Sequence, residues 1–92
     1  MTLVWDENKN TINISKHGID FNDIAQAFEH EMLVKKDERE DYGEDRFIGI
    51  GAISSIEVVI VWTTRGNTTR IISARQANKK ERKIYNDKIN KN

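Results

Sequence analysis

A chain of 92 residues without cysteine has room for one domain with a single modest core, and it excludes a disulfide framework or any thiolate-held metal. Its formal net charge is zero, but residues 1–64 carry 6 basic and 13 acidic side chains while residues 65–92 carry 9 and 2, that is −7 against +7. Such a division suits a chain whose basic side faces an anion, nucleic acid being the commonest polyanion; on charge alone a self-screening surface stands equally well. No charged segment followed by an apolar core opens the chain and its longest apolar run is too short to span a bilayer, so the expectation is a single domain over residues 1–92 in the cytoplasm, with no membrane contact.

In chain order, Val4 and Trp5 read as a short edge strand or entry segment. Asp6 is a good N-cap for a first helix from Glu7 to His17, which Gly18 stops and whose last turn holds Lys16 and His17 against the helix dipole. Ile12 and Ile14 are its thin apolar content. Phe21, Ile24, Ala25 and Phe28 at i, i+3, i+4 and i+7 predict a second, amphipathic helix with Asn22 as N-cap. MLVKK follows as a short strand, and DEREDYGED as an acidic, exposed turn with Gly43 at positive φ.

RFIGIGAI is a strand in which Gly49 and Gly51 leave room for a backbone or ligand to come close. Ser54 and Ser55 turn it into IEVVIVWT, apolar on both faces and therefore central. After TRGNTT the strand RIISAR alternates, with Arg70, Ile72 and Ala74 on one face and Ile71, Ser73 and Arg75 on the other. Asn78 and Glu81 make a capping box for a last helix ending near Ile89, ringed by Lys79, Lys80, Arg82, Lys83 and Lys88. Residues 83–92 form its basic end and tail. The fold class is α+β: an antiparallel sheet of about four strands, two N-terminal helices and one C-terminal helix.

Three arginines, Arg65, Arg70 and Arg75, are the main chemical feature. A guanidinium offers a fork of donors to phosphate and keeps its charge, so arginines aimed from neighbouring strands can clamp a phosphodiester and stabilise charge developing on it. Each could instead be an ion-pair partner, Arg70 most evenly so. His17 is of the side-chain type that takes and gives a proton near neutrality, and Lys16 beside it adds charge; capping helix carbonyls is the plainer use of both. Tyr85 reads as a docking anchor before a base-stacking ring. The spacing of His and carboxylates matches no metal site and no nucleotide-binding glycine loop is present, so neither metal nor cofactor is expected.

The stretches WDENKNTINISKHGIDFNDIAQAF, RFIGIG and VWTTRGNTTRIISARQANKKERKIY resemble the BrnT family, ribonuclease toxins of bacterial type II toxin–antitoxin systems. The resemblance implies a RelE/ParE-like sheet of about four antiparallel strands with helices on one side. It also implies RNA cleavage without metal, by attack of the ribose 2′-hydroxyl on the adjacent phosphate. It implies a BrnA-like DNA-binding antitoxin as partner, through which operator DNA is reached indirectly, and RNA as substrate. Arg65 and Arg75 would hold the scissile phosphate, with Lys16 and His17 near it; Glu81, Arg82 and Tyr85 match the family's C-terminal helix motif and would support the site, and Arg70, Lys79, Arg82 and Tyr85 are the expected RNA contacts. Thr64 departs from the acidic residue many relatives carry there, so no general base is assigned to that position. Two other readings stay open: a non-catalytic module that binds nucleic acid or an acidic antitoxin segment as corepressor, and a toxin that poisons a protein target such as gyrase.

Overall fold

The computed structural model describes residues 2–89, so the last three residues of the expected basic tail lie outside it. A five-stranded sheet has the order β1-β5-β4-β3-β2, with β1 Thr2–Val4, β2 Leu33–Lys36, β3 Arg46–Ile53, β4 Ile56–Arg65 and β5 Thr68–Gln76. The helices are α1 Glu7–His17, the one-turn α2 Ala25–Phe28 preceded by a 3₁₀ turn at Phe21–Asp23, and α3 Lys79–Lys88. The fold class is therefore α+β, with two corrections. The sheet is mixed and has five strands, because β1 runs parallel to β5 along Thr2–Thr68 to Val4–Arg70. Helical segments also cover both faces, since β4, buried at every position from Val58 to Thr63, needs cover on both.

The two faces follow from the register. On the core face lie Val58, Ile60, Trp62, Ile71 and Ala74, packed under Ile19, Phe21, Ile24 and Ala27. The second helix forms differently from the expected amphipathic one. Asp20, not Asn22, caps the 3₁₀ turn, accepting from the Asn22 amide at 2.9 Å, and α2 follows with no side-chain cap of its own. The segment's buried residues are Phe21, Ile24 and Ala27, while Ala25 is exposed. A spacing of three residues is the 3₁₀ period, which brings i, i+3 and i+6 onto one side.

Alternation along β5 also breaks. Val61 pairs with Ser73 but Trp62 pairs with Ile71, so Ile72 is an extra residue, a β-bulge. The bulge reverses the phase: Thr69, Ile71 and Ala74 are buried, whereas Arg70 turns to the face of Ser73 and Arg75. The expected grouping of Arg70 with Ile72 and Ala74 is corrected accordingly.

Helix α1 has the expected bounds, with Asp6 capping its start and Gly18 at φ 71° ending it. Its buried residues, however, are Asn10 and Asn13, while Ile12 and Ile14 face outward. Asn13 sits against the edge of β5 beyond β1, where its amide donates to the Ala74 carbonyl at 2.8 Å and its carbonyl accepts from the Ala74 amide at 3.2 Å. One side chain thereby stands in for a neighbouring strand and satisfies an edge that would otherwise be an unpaired row.

Gly49 and Gly51 face the core, and what comes close there is the protein itself. A Cβ on Gly49 would stand 2.8 Å from the Trp62 ring, and one on Gly51 3.0 Å from Met32. Trp62 is fixed in turn by Phe28, edge-on at 5.0 Å, and Phe47, stacked at 6.1 Å.

Candidate functional site

The face opposite the core carries all the sheet's cations except Lys36, which pairs with Phe47 on the core side. Arg75 pairs across Val59 to Ile50 and Leu33; Ser73 across Val61 to Ile48 and Lys35; Arg70 across Thr63 to Arg46; and Arg65 lies beyond them on β4. Paired residues project to the same side, so Arg65, Arg70, Arg75, Arg46 and Lys35 share one face over a floor of Ile48, Ile50, Val59 and Val61. The Ile72 bulge brings Arg70 into this set.

Arg75 anchors one end of the face. Its guanidinium is held in a fork by both carboxylate oxygens of Glu81, each at 2.8 Å, and donates to the Gln76 carbonyl at 3.2 Å. Glu81 belongs to the expected capping box of α3: its carboxylate accepts from the Asn78 amide and Asn78 accepts from the Glu81 amide, both at 2.8 Å. The Arg75 bond, opposed by burial, draws the Glu81 carboxyl down to about 2, and the same bond raises the Arg75 guanidinium. At neutral pH Glu81 is a firmly ionised, weak base that orients an arginine.

Arg70 is half-buried and has no carboxylate partner among the described residues. It stands four residues along β4 from the Arg75 rung, about 13 Å at ~3.3 Å per residue. Arg65 is two residues further, about 20 Å from that rung, and is exposed and bound to Glu44 at 3.0 Å. Arg65 and Arg75 are thus not brought together. Thr64, paired with Thr69, points to the opposite face.

Lys16 and His17 meet the face at its edge. With Asn13, Ile72 and Ser73 they line a shallow pocket of about 180 Å³ beside β5, one rung from Arg75. Helix α1 is held there by Asn13, so the residue that bonds the strand edge also brings His17 to the pocket it shares with Ser73. Lys79 and Arg82 lie exposed on α3, Arg82 donating to the Ala77 carbonyl at 2.8 Å. Tyr85 is 5% exposed, in a pocket with Glu29, His30 and Glu31. Burial, with Glu57 and Glu31 beside it, raises its phenol. Its ring docks α3 and is enclosed rather than offered for stacking.

The β2–β3 loop corrects the expectation of a wholly exposed acidic turn. Asp37 is buried and accepts from Arg39 through both oxygens at 2.7 Å, and from the Tyr42 hydroxyl at 3.2 Å. Arg46 lies 4.1 Å over the Tyr42 ring, with its buried Nε lacking a hydrogen-bond partner. Sequence reasoning missed Arg39 and Arg46; the alternation of RFIGIG, with Arg46 in phase with Ile48, is the signal that finds the second of them. Among the described residues no group of three or more His, Asp or Glu is placed to hold a metal ion, and no helix is long and apolar enough to cross a membrane.

The comparisons with known proteins divide. No curated protein matches the chain. A model of the family described as "Ribonuclease toxin, BrnT, of type II toxin-antitoxin system" matches residues 5–81, a span from Trp5 through Arg75 to Glu81 that takes in the arginine face and the edge at His17. With most of its length matched, the chain belongs to the BrnT family of type II toxin–antitoxin ribonuclease toxins.

Proposed function

We propose that the chain is an endoribonuclease toxin that cuts RNA on its arginine face without a metal ion and is held inactive by a cognate antitoxin. The observation that carries the reading is a fork-held Arg75 one rung along β5 from Ser73, which shares a shallow pocket with His17. RNA supplies its own nucleophile. The ribose 2′-oxygen attacks the adjacent phosphorus and gives up its proton. The bond to the 5′-oxygen breaks and that oxygen takes a proton, leaving a 2′,3′-cyclic phosphate and a free 5′-hydroxyl, with no water consumed. Arg75 stabilises the charge gathering on the non-bridging oxygens, and His17 is the group able to move the protons. Glu81, held low by Arg75, fixes the guanidinium rather than serving as base.

The spacing of the arginines gives them different tasks. Arg70 and Arg65, lying about 13 and 20 Å along β4 from the Arg75 rung, carry the flanking RNA backbone, and Lys16, Lys79 and Arg82 add positive charge around it. The antitoxin of such a pair is read as a BrnA-like DNA-binding protein that also takes the complex to operator DNA. Partner-free protein incubated with RNA in EDTA is expected to yield cyclic phosphate and 5′-hydroxyl ends. Intact RNA would favour the non-catalytic corepressor, and 5′-phosphate ends would contradict attack by the 2′-hydroxyl.

A further inference from the structure

The loop from Asp37 to Asp45 contributes to the arginine face in a way its acidic composition conceals. The Asp37 side chain is 1% exposed, a depth at which an ionised carboxylate needs both a partner and further hydrogen bonds. Arg39 supplies the first through Nε and Nη2, each at 2.7 Å, and Tyr42 adds its hydroxyl. The Asp37 amide also donates to the Arg46 carbonyl at 2.8 Å, pinning the loop to β3. The Arg39 side chain itself is 66% exposed. Its plane is therefore fixed from below by Asp37, with Tyr42 beside it, while the side chain stays largely exposed.

The loop adjoins the part of the face where Glu81 holds Arg75. Arg39 and Ile48 line a pocket of about 350 Å³, and Ile48 also floors the adjoining one of about 280 Å³, walled by Glu81, the residue that holds Arg75. Arg39 thus lines one of two pockets that share Lys35 and Ile48, and the partner of Arg75 lines the other. The two guanidiniums are near enough for the charge of Arg39 to oppose that of Arg75, and like charges kept near each other are relieved by an anion between or beside them.

We propose that Arg39, oriented by Asp37, binds a second phosphate of the RNA, next to the one cut at Arg75. The inference rests on the RNA-cutting reading of this face. Exposed Glu38, which lines the same pocket as Arg39, and exposed Glu40 oppose phosphate, so the site works by direct contact of a pre-set fork rather than by the loop's overall field. Asp37 is a positioning residue and Arg39 a binding residue.

The test uses a 2′-O-methyl RNA oligonucleotide, which cannot be cut because the attacking hydroxyl is blocked. Its affinity is measured over a salt series for the wild type, for Arg39→Ala, and for Arg39→Ala combined with Asp37→Asn, which leaves no stranded buried carboxylate. Both variants, checked for folding by circular dichroism, are expected to bind about tenfold more weakly at low salt. The slope of log affinity against log salt should become shallower by about 0.7, the loss of one phosphate contact to a single strand. A folded variant with unchanged affinity and slope would overturn the inference. Wild-type protein that binds with an Arg39-dependent slope yet leaves ordinary RNA intact would sink the nuclease reading and leave this site standing; wild-type protein that does not bind the oligonucleotide would overturn both.

Discussion

Two side chains decide how the site is assembled, and each makes a separable prediction. Asn13 is buried and bonds the Ile19 carbonyl at 2.9 Å as well as both backbone groups of Ala74. Asn13→Ala leaves these without partners at the edge of β5 and is expected to destabilise the protein by about 2–3 kcal/mol, read from denaturant midpoints. A loss within error would mean that water replaces the amide. Glu81 ties α3 to Arg75, whose guanidinium draws its carboxyl from the ordinary 4.5 down to about 2. Its stabilising contribution is therefore fully present above about pH 4.5 and is lost as pH falls from there through about 2. Glu81→Gln should flatten the stability profile across that window, whereas a profile as steep as the wild type's would assign the acid sensitivity elsewhere. Neither role is plain in the sequence. An asparagine inside a helix reads as solvated, and nothing local tells that Ala74, far along the chain, will offer it a strand edge.

At the scale of elements, the strands and two of the three helices are legible because local signals agree with the fold. Asp6 and Gly18 bound α1, Asn78 and Glu81 start α3, and the apolar run of β4 announces a central strand. Two of the failures share a physical cause, a change of period. Phe21, Ile24 and Ala27 follow a spacing of three where a helical 3.6 is expected, and the bulge at Ile72 shifts a strand period of two by one residue. That shift is functional in consequence, since it carries Arg70 from the core side to the arginine face. The strand glycines serve packing: Gly49→Ala would press a methyl group to 2.8 Å from Trp62 and 2.9 Å from Met32. The expected cost is about 1–3 kcal/mol, with a lower melting temperature. An unchanged melting temperature would show that Met32 and the indole yield freely.

For the whole molecule, the neutral total charge hides a division of labour between two sheet faces. One face is a dry apolar core under α2 and its preceding turn; the other gathers cations from β2, β3, β4 and β5 around a floor of branched aliphatic residues, with α3 over one end and α1 at the edge. The −7 and +7 halves foreshadow such a face. Its membership was only partly legible, because Arg39 and Arg46 come from the acidic half and arrive through the buried Asp37 and the pairing of β3. The family match assigns a ribonuclease toxin, and the arrangement of the arginines turns that into a statement about place. The most direct measurement is the single-turnover cleavage rate of partner-free Arg75→Ala and Arg65→Ala, each checked for folding, beside the wild type. The account predicts that Arg75→Ala slows cleavage by about 10²–10³ at saturating RNA, while Arg65→Ala weakens RNA binding and keeps the saturated rate within a few-fold. A folded Arg75→Ala protein that cuts as fast as the wild type would contradict it.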